Sequence, residues 1–159
     1  MTVSAPNKAT KPTRTAIGWR EWVSLPGLGV ARIKAKIDTG AKTAALHAFR
    51  IETVERSGKT YVHFAVHPIQ KAAKPEILCR ARVKCRRRIR SSNGVIEERL
   101  ILRVKVKAGE REFPIDLSLA NRDSMGFRLL LGRDAVRRKF LIDPGASFLL
   151  GRPRKRKSS

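Results

Sequence analysis

Asp38, Thr39 and Gly40 form the stretch of this sequence with the clearest capacity for chemistry. A carboxylate can accept or donate a proton, and a glycine two positions later permits a tight turn that fixes the carboxylate in place. One interpretation is purely structural, because an Asp that precedes a glycine in this way often bonds its own backbone in a turn. The other is an acid–base group held at the floor of a cleft.

The residues before Asp38 predict the strand that delivers this carboxylate. Small and apolar side chains alternate with basic ones over residues 31–37, which is the period-2 pattern of a half-buried strand. Asp38 falls where that strand ends. A second segment, residues 129–134, is an apolar run that ends in Gly132 and continues into the charged pair Arg133 and Asp134.

Most of the remaining chain also alternates, in short runs separated by turn residues. Strands are predicted at residues 17–25, 49–53, 62–66, 77–89, 100–106, 113–119 and 140–143. Residues 132–139 predict one short helix. Many short strands joined by hairpins indicate an all-β barrel or sandwich. The domain is predicted to span residues 15–150, between a flexible arm at 1–14 and a basic, disordered tail at 151–159.

The composition adds a strong charge bias. The chain has 159 residues, and its 36 Lys and Arg outnumber 13 Asp and Glu for a net charge of +23. Such a field attracts polyanions, so nucleic acid or the ribosome is a candidate non-specific contact. No apolar run suggests a signal peptide or a membrane span, and we expect a cytoplasmic protein. Cys79 and Cys85 are six residues apart on one strand, too far for a disulfide.

The Asp38 and Gly132 segments together resemble the retropepsin-like aspartic peptidases. In that family Asp-Thr-Gly-Ala follows an early strand, and a late apolar-apolar-Gly-Arg precedes a short helix. Further segments are similar to a bacterial family labelled ATP-dependent zinc proteases, often linked to ATP-grasp glutamate ligases: residues 17–22, 34–41, 46–48, 90–94, 121–123, 125–128 and 141–145. The resemblance covers residues 17–150. It implies a closed acid-protease barrel with one short C-terminal helix.

Peptide hydrolysis in such peptidases needs two carboxylates that share one proton. This chain has one Asp-Thr-Gly. Asp116 and Asp143 also follow predicted strands but lack the Thr-Gly turn. The second carboxylate must then come from a second copy of Asp38 across a two-fold axis, which predicts a homodimer.

The resemblance also implies roles for individual residues. Asp38 would be the paired acid and base, Thr39 would brace the pair across the dimer axis, and Gly40 would let substrate backbone come close. Gly132 would pack beneath the Asp38 loop, with Leu130 and Leu131 filling the core. The expected substrate-binding residues, which include the tip of a flap that closes over the substrate, are Ala41, Ser92, Asn93, Gly94, Gly132 and Arg133.

One departure from the retroviral pattern concerns Arg133. Retroviral members carry an acid near the arginine of the late motif, whereas this chain has Lys42 and Thr43 in that neighbourhood. Two arrangements are open: Asp134 pairs with Lys42, or Arg133 finds an acid elsewhere.

The resulting hypothesis is a dimeric aspartic endopeptidase acting on a peptide or protein, with an acidic or glutamate-modified chain as a candidate substrate. An alternative is a non-catalytic basic barrel that binds RNA, the ribosome or an acidic peptide. A third is a zinc peptidase built on His47, His63 and His67, but the last two would lie about 13 Å apart on one strand. Neither a His-Glu-x-x-His motif nor a phosphate-binding glycine loop is present, so no cofactor is expected.

Overall fold

The strands of this fold alternate side chains between an inner and an outer face. The long strand at residues 77–90 shows this most clearly, because from residue 79 onward buried or half-buried positions alternate with exposed basic ones. The computed structural model describes residues 14–152, apart from Ser92 and residues 122–125. The predicted arm, except residue 14, and the predicted tail from residue 153 onward lie outside the described residues.

The described chain contains ten strands, one α-helix and a short 3-10 turn at Pro26–Leu28. The strands are β1 (Thr15–Leu25), β2 (Val30–Asp38), β3 (Ala44–His47), β4 (Phe49–Arg56), β5 (Lys59–Val66), β6 (Ile77–Arg90), β7 (Ile96–Ala108), β8 (Arg111–Ala120), β9 (Leu129–Gly132) and β10 (Phe140–Ser147). The helix, α1, is Arg133–Val136. The predicted all-β class with one short helix is confirmed.

Six of the strands close into a barrel. They pair in the order β1-β2-β9-β3-β8-β7, and a single pairing between Ser24 of β1 and Lys107 of β7 completes the ring. Strands β6, β5 and β4 continue outward from β7, and β10 lies parallel to β1 at the opposite edge. Closure buries an apolar interior that includes Ile33, Leu102 and Leu117 at 0% exposure.

The structure corrects two predicted boundaries after residue 132. The helix ends at Val136 rather than at residue 139, because Arg137 is extended and Arg138 adopts a left-handed φ of 66° that turns the chain into β10. Strand β10 does not stop at Asp143 but continues through Pro144 to Ser147. Proline is tolerated there because β10 is an edge strand and its outer side needs no ladder hydrogen bond.

Both cysteines are free, as predicted. Cys79 is buried and Cys85 is half-buried, and β6 shifts register between Val83 and Cys85. Burial raises the pKa of the Cys79 thiol to about 11. Cys79 is therefore a protonated thiol in the core at neutral pH.

None of the helices in the described part of the chain has the length and hydrophobicity that a transmembrane span needs.

A buried carboxylate ties the end of the described chain to the barrel. Glu21 is 1% exposed, and its side chain accepts backbone N–H bonds from Gly18 (2.6 Å), Leu149 (2.9 Å) and Leu150 (3.0 Å). Hydrogen bonds to a charged acceptor are among the stronger ones in proteins. Glu21 therefore fixes the segment after β10 against β1.

Replacing Glu21 by Gln should lower the free energy of unfolding by about 2–3 kcal/mol. The NH2 group of the new amide would replace one accepting oxygen and would face backbone N–H groups whose hydrogen bonds it cannot accept. Urea denaturation measures this change. The matched control is Glu52→Gln on the exposed face of β4, which should stay within about 0.5 kcal/mol of the parent. Equal stability of the two variants would contradict a structural role for Glu21.

Candidate active site

Asp38 is the last residue of β2, and its carboxylate is held by its own loop. The Gly40 N–H donates to Asp38 Oδ1 at 3.1 Å, and the Ala41 N–H donates to the Asp38 carbonyl at 3.2 Å. Asp38 is half-buried, whereas Thr39 and Gly40 are exposed. The turn predicted from sequence is present, and it leaves Asp38 Oδ2 without a bond to this loop.

Strand β9 supports this loop from below. Asp38 pairs with Gly132 in the parallel β2–β9 register, so Gly132 lies where the sequence placed it. A Cβ at residue 132 would lie 2.8 Å from the Ala41 carbonyl oxygen and 2.8 Å from the Thr43 carbonyl carbon. Only glycine fits beneath the loop without displacing backbone.

Two backbone bonds join the loop to the start of α1. The Arg133 N–H donates to the Ala41 carbonyl at 2.7 Å, and the Asp134 N–H donates to the Lys42 carbonyl at 3.0 Å. The backbone of α1 and that of the Asp38 loop therefore form one hydrogen-bonded unit.

Arg133 and Asp134 take neither of the two arrangements expected from sequence. Arg133 Nη1 donates to the Thr39 carbonyl at 3.0 Å, so its partner is the loop backbone and not an acid. Asp134 pairs with Arg137 at 3.9 Å rather than with Lys42. The Arg133 guanidinium thus binds the backbone of the Asp38 loop directly, where an ion pair with an acid was expected.

A cleft of about 780 Å³ opens beside Asp38. Its lining comes from the Asp38 loop, from β3 and β9, and from the arms of the β6–β7 hairpin: Asp38, Gly40, Ala41, Lys42, Thr43, Ala45, Arg87, Arg88, Ile89, Arg90, Ser91, Arg99 and Leu130. Leu131 is buried in the core as expected, whereas Leu130 is half-buried and faces the cleft. Among these lining residues Asp38 is the one carboxylic acid.

The cleft is strongly basic. Lys42, Arg87, Arg88, Arg90 and Arg99 all line it. Arg99 is 7% exposed and pairs with Glu97 at 2.6 Å. Within the described residues, Arg87 also has a carboxylate within ion-pair distance, whereas Lys42, Arg88 and Arg90 have none. An anionic ligand would therefore find uncompensated positive charge around Asp38.

The acid that pairs with Arg87 is Asp116, which lies inside β8 rather than at a strand end. Lys84 donates to it at 2.9 Å, Arg103 at 3.0 Å and Arg87 at 3.4 Å. Partial burial alone would raise the pKa of Asp116, but the hydrogen bonds from Lys84 and Arg103 lower it on balance. Asp116 therefore acts as a structural anion between β6, β7 and β8 and does not itself line the Asp38 cleft.

The predicted flap tip is the turn between β6 and β7. Gly94 has a left-handed φ of 84°, and its N–H donates to the Ser91 carbonyl at 2.9 Å. Asn93 and Gly94 are exposed and do not line the cleft, whereas Ser91 does. Ser92 lies outside the described residues. A flap role for this tip stays a prediction.

Sequence reasoning missed the basic lining of the cleft. The sequence shows basic residues alternating along the strand at 77–89, but it does not show that some of them line the same cleft as Asp38. Arg99, on β7, lies next to a run of apolar residues and gave no signal of its own. The β6–β7 register, which places Arg99 across from Arg87, brings these charges together.

The three histidines occupy different surroundings. His47 is buried in β3, and His63 is exposed on β5. His67 lies one residue beyond β5, and its Nε2 contacts Glu76 at 3.0 Å. Across the described residues, no group of three His, Cys, Asp or Glu side chains is arranged to hold a metal ion.

Comparisons with known proteins place this geometry in context. A family profile described as "RimB-like: Retropepsin-like aspartic endopeptidase RimB" matches residues 16–153. Proteins named "Probable alpha-L-glutamate ligase" from Shewanella halifaxensis and Desulfotalea psychrophila are 46% and 42% identical to this chain over 135 residues, which is 85% of its length. The chain spans only 30% and 29% of those two relatives.

A solved structure has the same fold. Lpg0085 from Legionella pneumophila, described as a protein with unknown function, superposes with a TM-score of 0.71 at 27% sequence identity. The match covers 87% of this chain and 99% of that one.

Replacing Gly132 by Ala should destabilise the protein by about 1–3 kcal/mol, because the new methyl group overlaps the backbone of the Asp38 loop. Urea denaturation gives the free energy of unfolding. Gly27→Ala is the matched control, since a Cβ at residue 27 meets no atom within 4 Å. If both variants are as stable as the parent, the loop is not tightly supported by β9.

Proposed function

Because this chain belongs to the RimB-like family of retropepsin-like aspartic endopeptidases, we propose that two copies of it form one peptidase. Each copy contributes its Asp38 to a shared site on a two-fold axis. Thr39 braces the pair from each side, and Gly40 admits the substrate backbone. The flap tip at residues 92–94 closes over the bound peptide, and Ala41, Gly132 and Arg133 hold the loop against which the peptide lies.

The observation that carries this proposal is an oriented carboxylate with no second acid among the described residues that line its cleft. The Gly40 N–H fixes Asp38 Oδ1 at 3.1 Å, and the other lining residues include no Asp or Glu. Hydrolysis through a carboxylate pair requires a second acid, and Thr39 and Gly40 are exposed where another copy could approach.

The chemistry of such a pair follows from the repulsion of like charges. Two carboxylates in contact retain one proton between them, so one is a base and the other an acid. The base takes a proton from a water molecule, whose oxygen attacks the scissile carbonyl carbon. The acid gives its proton to the carbonyl oxygen. Collapse of the tetrahedral intermediate breaks the C–N bond. One of its hydroxyl groups returns a proton to the pair as the new carboxyl group forms, and the nitrogen leaves with a proton that the pair donates.

The charge of the cleft supports an acidic peptide as substrate. Lys42, Arg88 and Arg90 line it without a carboxylate within ion-pair distance among the described residues. Each could bind a glutamate or aspartate side chain of an extended peptide. Such contacts would hold an acidic chain across Asp38 and leave a neutral chain weakly bound.

The relatives support the same class of substrate. A region similar to this chain makes up about 30% of proteins named alpha-L-glutamate ligases. A ligase of that name joins glutamate to an acceptor, and a peptidase can hydrolyse the bond that such a ligase forms. We therefore propose that this chain trims glutamate residues added to a protein.

Replacing Asp38 by Asn should lower the rate of cleavage of a glutamate-tailed peptide by at least about 100-fold, because the pair loses its acid–base function. Mixing tests whether two copies share the site. With three parts of the variant to one part of the parent, freely exchanging dimers should show about one quarter of the activity per parent chain.

Asp143→Asn is the matched control. Asp143 Oδ1 accepts the Gly145 N–H at 3.0 Å in the same local turn, but Asp143 does not line the cleft. Its addition in the same ratio should leave the activity per parent chain unchanged. If Asp38→Asn also leaves it unchanged while dimers exchange, each chain cleaves alone and the shared site is wrong.

Replacing Lys42 by Gln should raise KM for an acidic peptide about two- to fivefold, the effect of losing one exposed ion pair, with little change in kcat. A peptide with Gln in place of Glu should show no such change. Lys105→Gln is the control, because Lys105 is an exposed residue of β7 that does not line the cleft. Equal effects of both variants would mean that general charge, and not the cleft, selects the substrate.

A further inference from the structure

Aromatic and basic side chains alternate on the outer face of β1 and β2, where the segment after β10 packs against them. This aromatic–basic face consists of Trp19, Arg20, Trp22, Lys34, Phe148 and Arg152. All are half-buried except Arg152, which is exposed. The face does not depend on the peptidase proposal, since none of its residues lines the Asp38 cleft.

The side chains form an ordered stack. The Trp22 and Phe148 rings lie 6.1 Å apart at an interplanar angle of 24°. The Arg20 guanidinium lies between two rings, 4.7 Å from that of Trp19 and 4.8 Å from that of Phe148. Lys34 Nζ and the Arg152 guanidinium lie 5.2 Å and 5.0 Å from the Trp22 ring.

The backbone holds this stack in place. Trp22 and Lys34 are direct neighbours in the β1–β2 register, and the Phe148 N–H donates to the Arg20 carbonyl at 3.0 Å. The buried Glu21 carboxylate then fixes Leu149, the next residue. The rings and cations are therefore positioned before any partner binds, which lowers the entropic cost of binding.

The cations of this face are uncompensated. Within the described residues, no carboxylate lies within ion-pair distance of Arg20, Lys34 or Arg152, although Arg20 Nε donates to Ser147 Oγ at 3.2 Å. Two grooves meet at Trp22 and carry further lysines. One, of about 530 Å³, includes Lys71, and the other, of about 340 Å³, includes Lys107.

We propose that the aromatic–basic face binds single-stranded RNA. Phosphates would pair with the cations, and bases would stack on the rings, which is how many proteins hold single strands without reading their sequence. An acidic peptide would use the cations but has no need for the rings. An anionic membrane would need a contiguous apolar surface, whereas this one alternates charge with aromatic rings.

Two polar groups favour RNA over DNA. Ser24 and Glu110 line the smaller groove beside Trp22. The Glu110 carboxylate would repel a phosphate, but it can accept a hydrogen bond from a ribose 2′-hydroxyl, which DNA lacks.

The sequence provides its own reporters, because Trp19 and Trp22 are its only two tryptophans and both lie on this face. A 12-nucleotide oligouridylate should quench tryptophan fluorescence of the full chain, with an affinity that falls steeply as salt rises. Phe148→Leu should weaken binding about fivefold or more by removing a stacking ring. Lys34→Gln, an exchange at the edge of the stack that should not impair folding, should reduce the log–log salt slope by about 0.7.

Arg82→Gln is the matched control, since it removes the same charge from an exposed position of β6 outside this face. It should change the affinity less than twofold. The proposal is overturned if Arg82→Gln weakens binding as much as Lys34→Gln, or if Phe148→Leu has no effect. The proposal is also overturned if polyglutamate of equal charge quenches the fluorescence as strongly as the oligouridylate, or if oligodeoxyuridylate binds as tightly as the oligouridylate. A third overturning result is a change in fluorescence with anionic vesicles but none with the oligouridylate.

Discussion

The close contact between β9 and the Asp38 loop is the constraint on which the candidate site depends. Parallel pairing sets Gly132 opposite Asp38, and the absence of a side chain lets the loop backbone lie directly on it. Two backbone hydrogen bonds from Arg133 and Asp134, together with the Arg133 guanidinium on the Thr39 carbonyl, then close the loop from the other side. A carboxylate at a strand end becomes a fixed group because its surroundings leave the turn one conformation.

Positive and negative charges are distributed unevenly in this molecule, and this distribution distinguishes two positively charged regions of its surface. Two acids hold several partners each within the barrel: Glu21 binds backbone N–H groups, and Asp116 links three cations of neighbouring strands. Among the described residues, cations without a nearby carboxylate line the Asp38 cleft and the aromatic–basic face, and others, such as Arg82 and Lys105, lie singly on exposed strand positions. The two regions share a net positive charge but differ in chemistry, since one surrounds a carboxylate and the other surrounds stacked rings.

Most of the strands and the Asp38 turn could be predicted because they follow from local rules: period-2 alternation and the geometry of an Asp followed by a glycine. Strands β3 and β9 could not, because each has only four residues and shows no alternation of buried and exposed positions. The length of α1 could not be predicted. Arg138 adopts a left-handed conformation that brings Phe140 against β1, and helix propensity carries no information about that tertiary contact. The passage of β10 through Pro144 depends on its being an edge strand, which is a property of the sheet and not of the segment.

The sequence alone determined that this chain is an all-β protein with a single Asp-Thr-Gly turn and a large excess of positive charge. Those features are set by residue types at fixed local spacing. Only the tertiary structure decided that Arg99 and Arg87 face Asp38, that Arg133 braces the Thr39 carbonyl, and that residues more than a hundred positions apart stack beside Trp22. Each of these depends on strand register and barrel closure, which join segments that carry no local signal of one another.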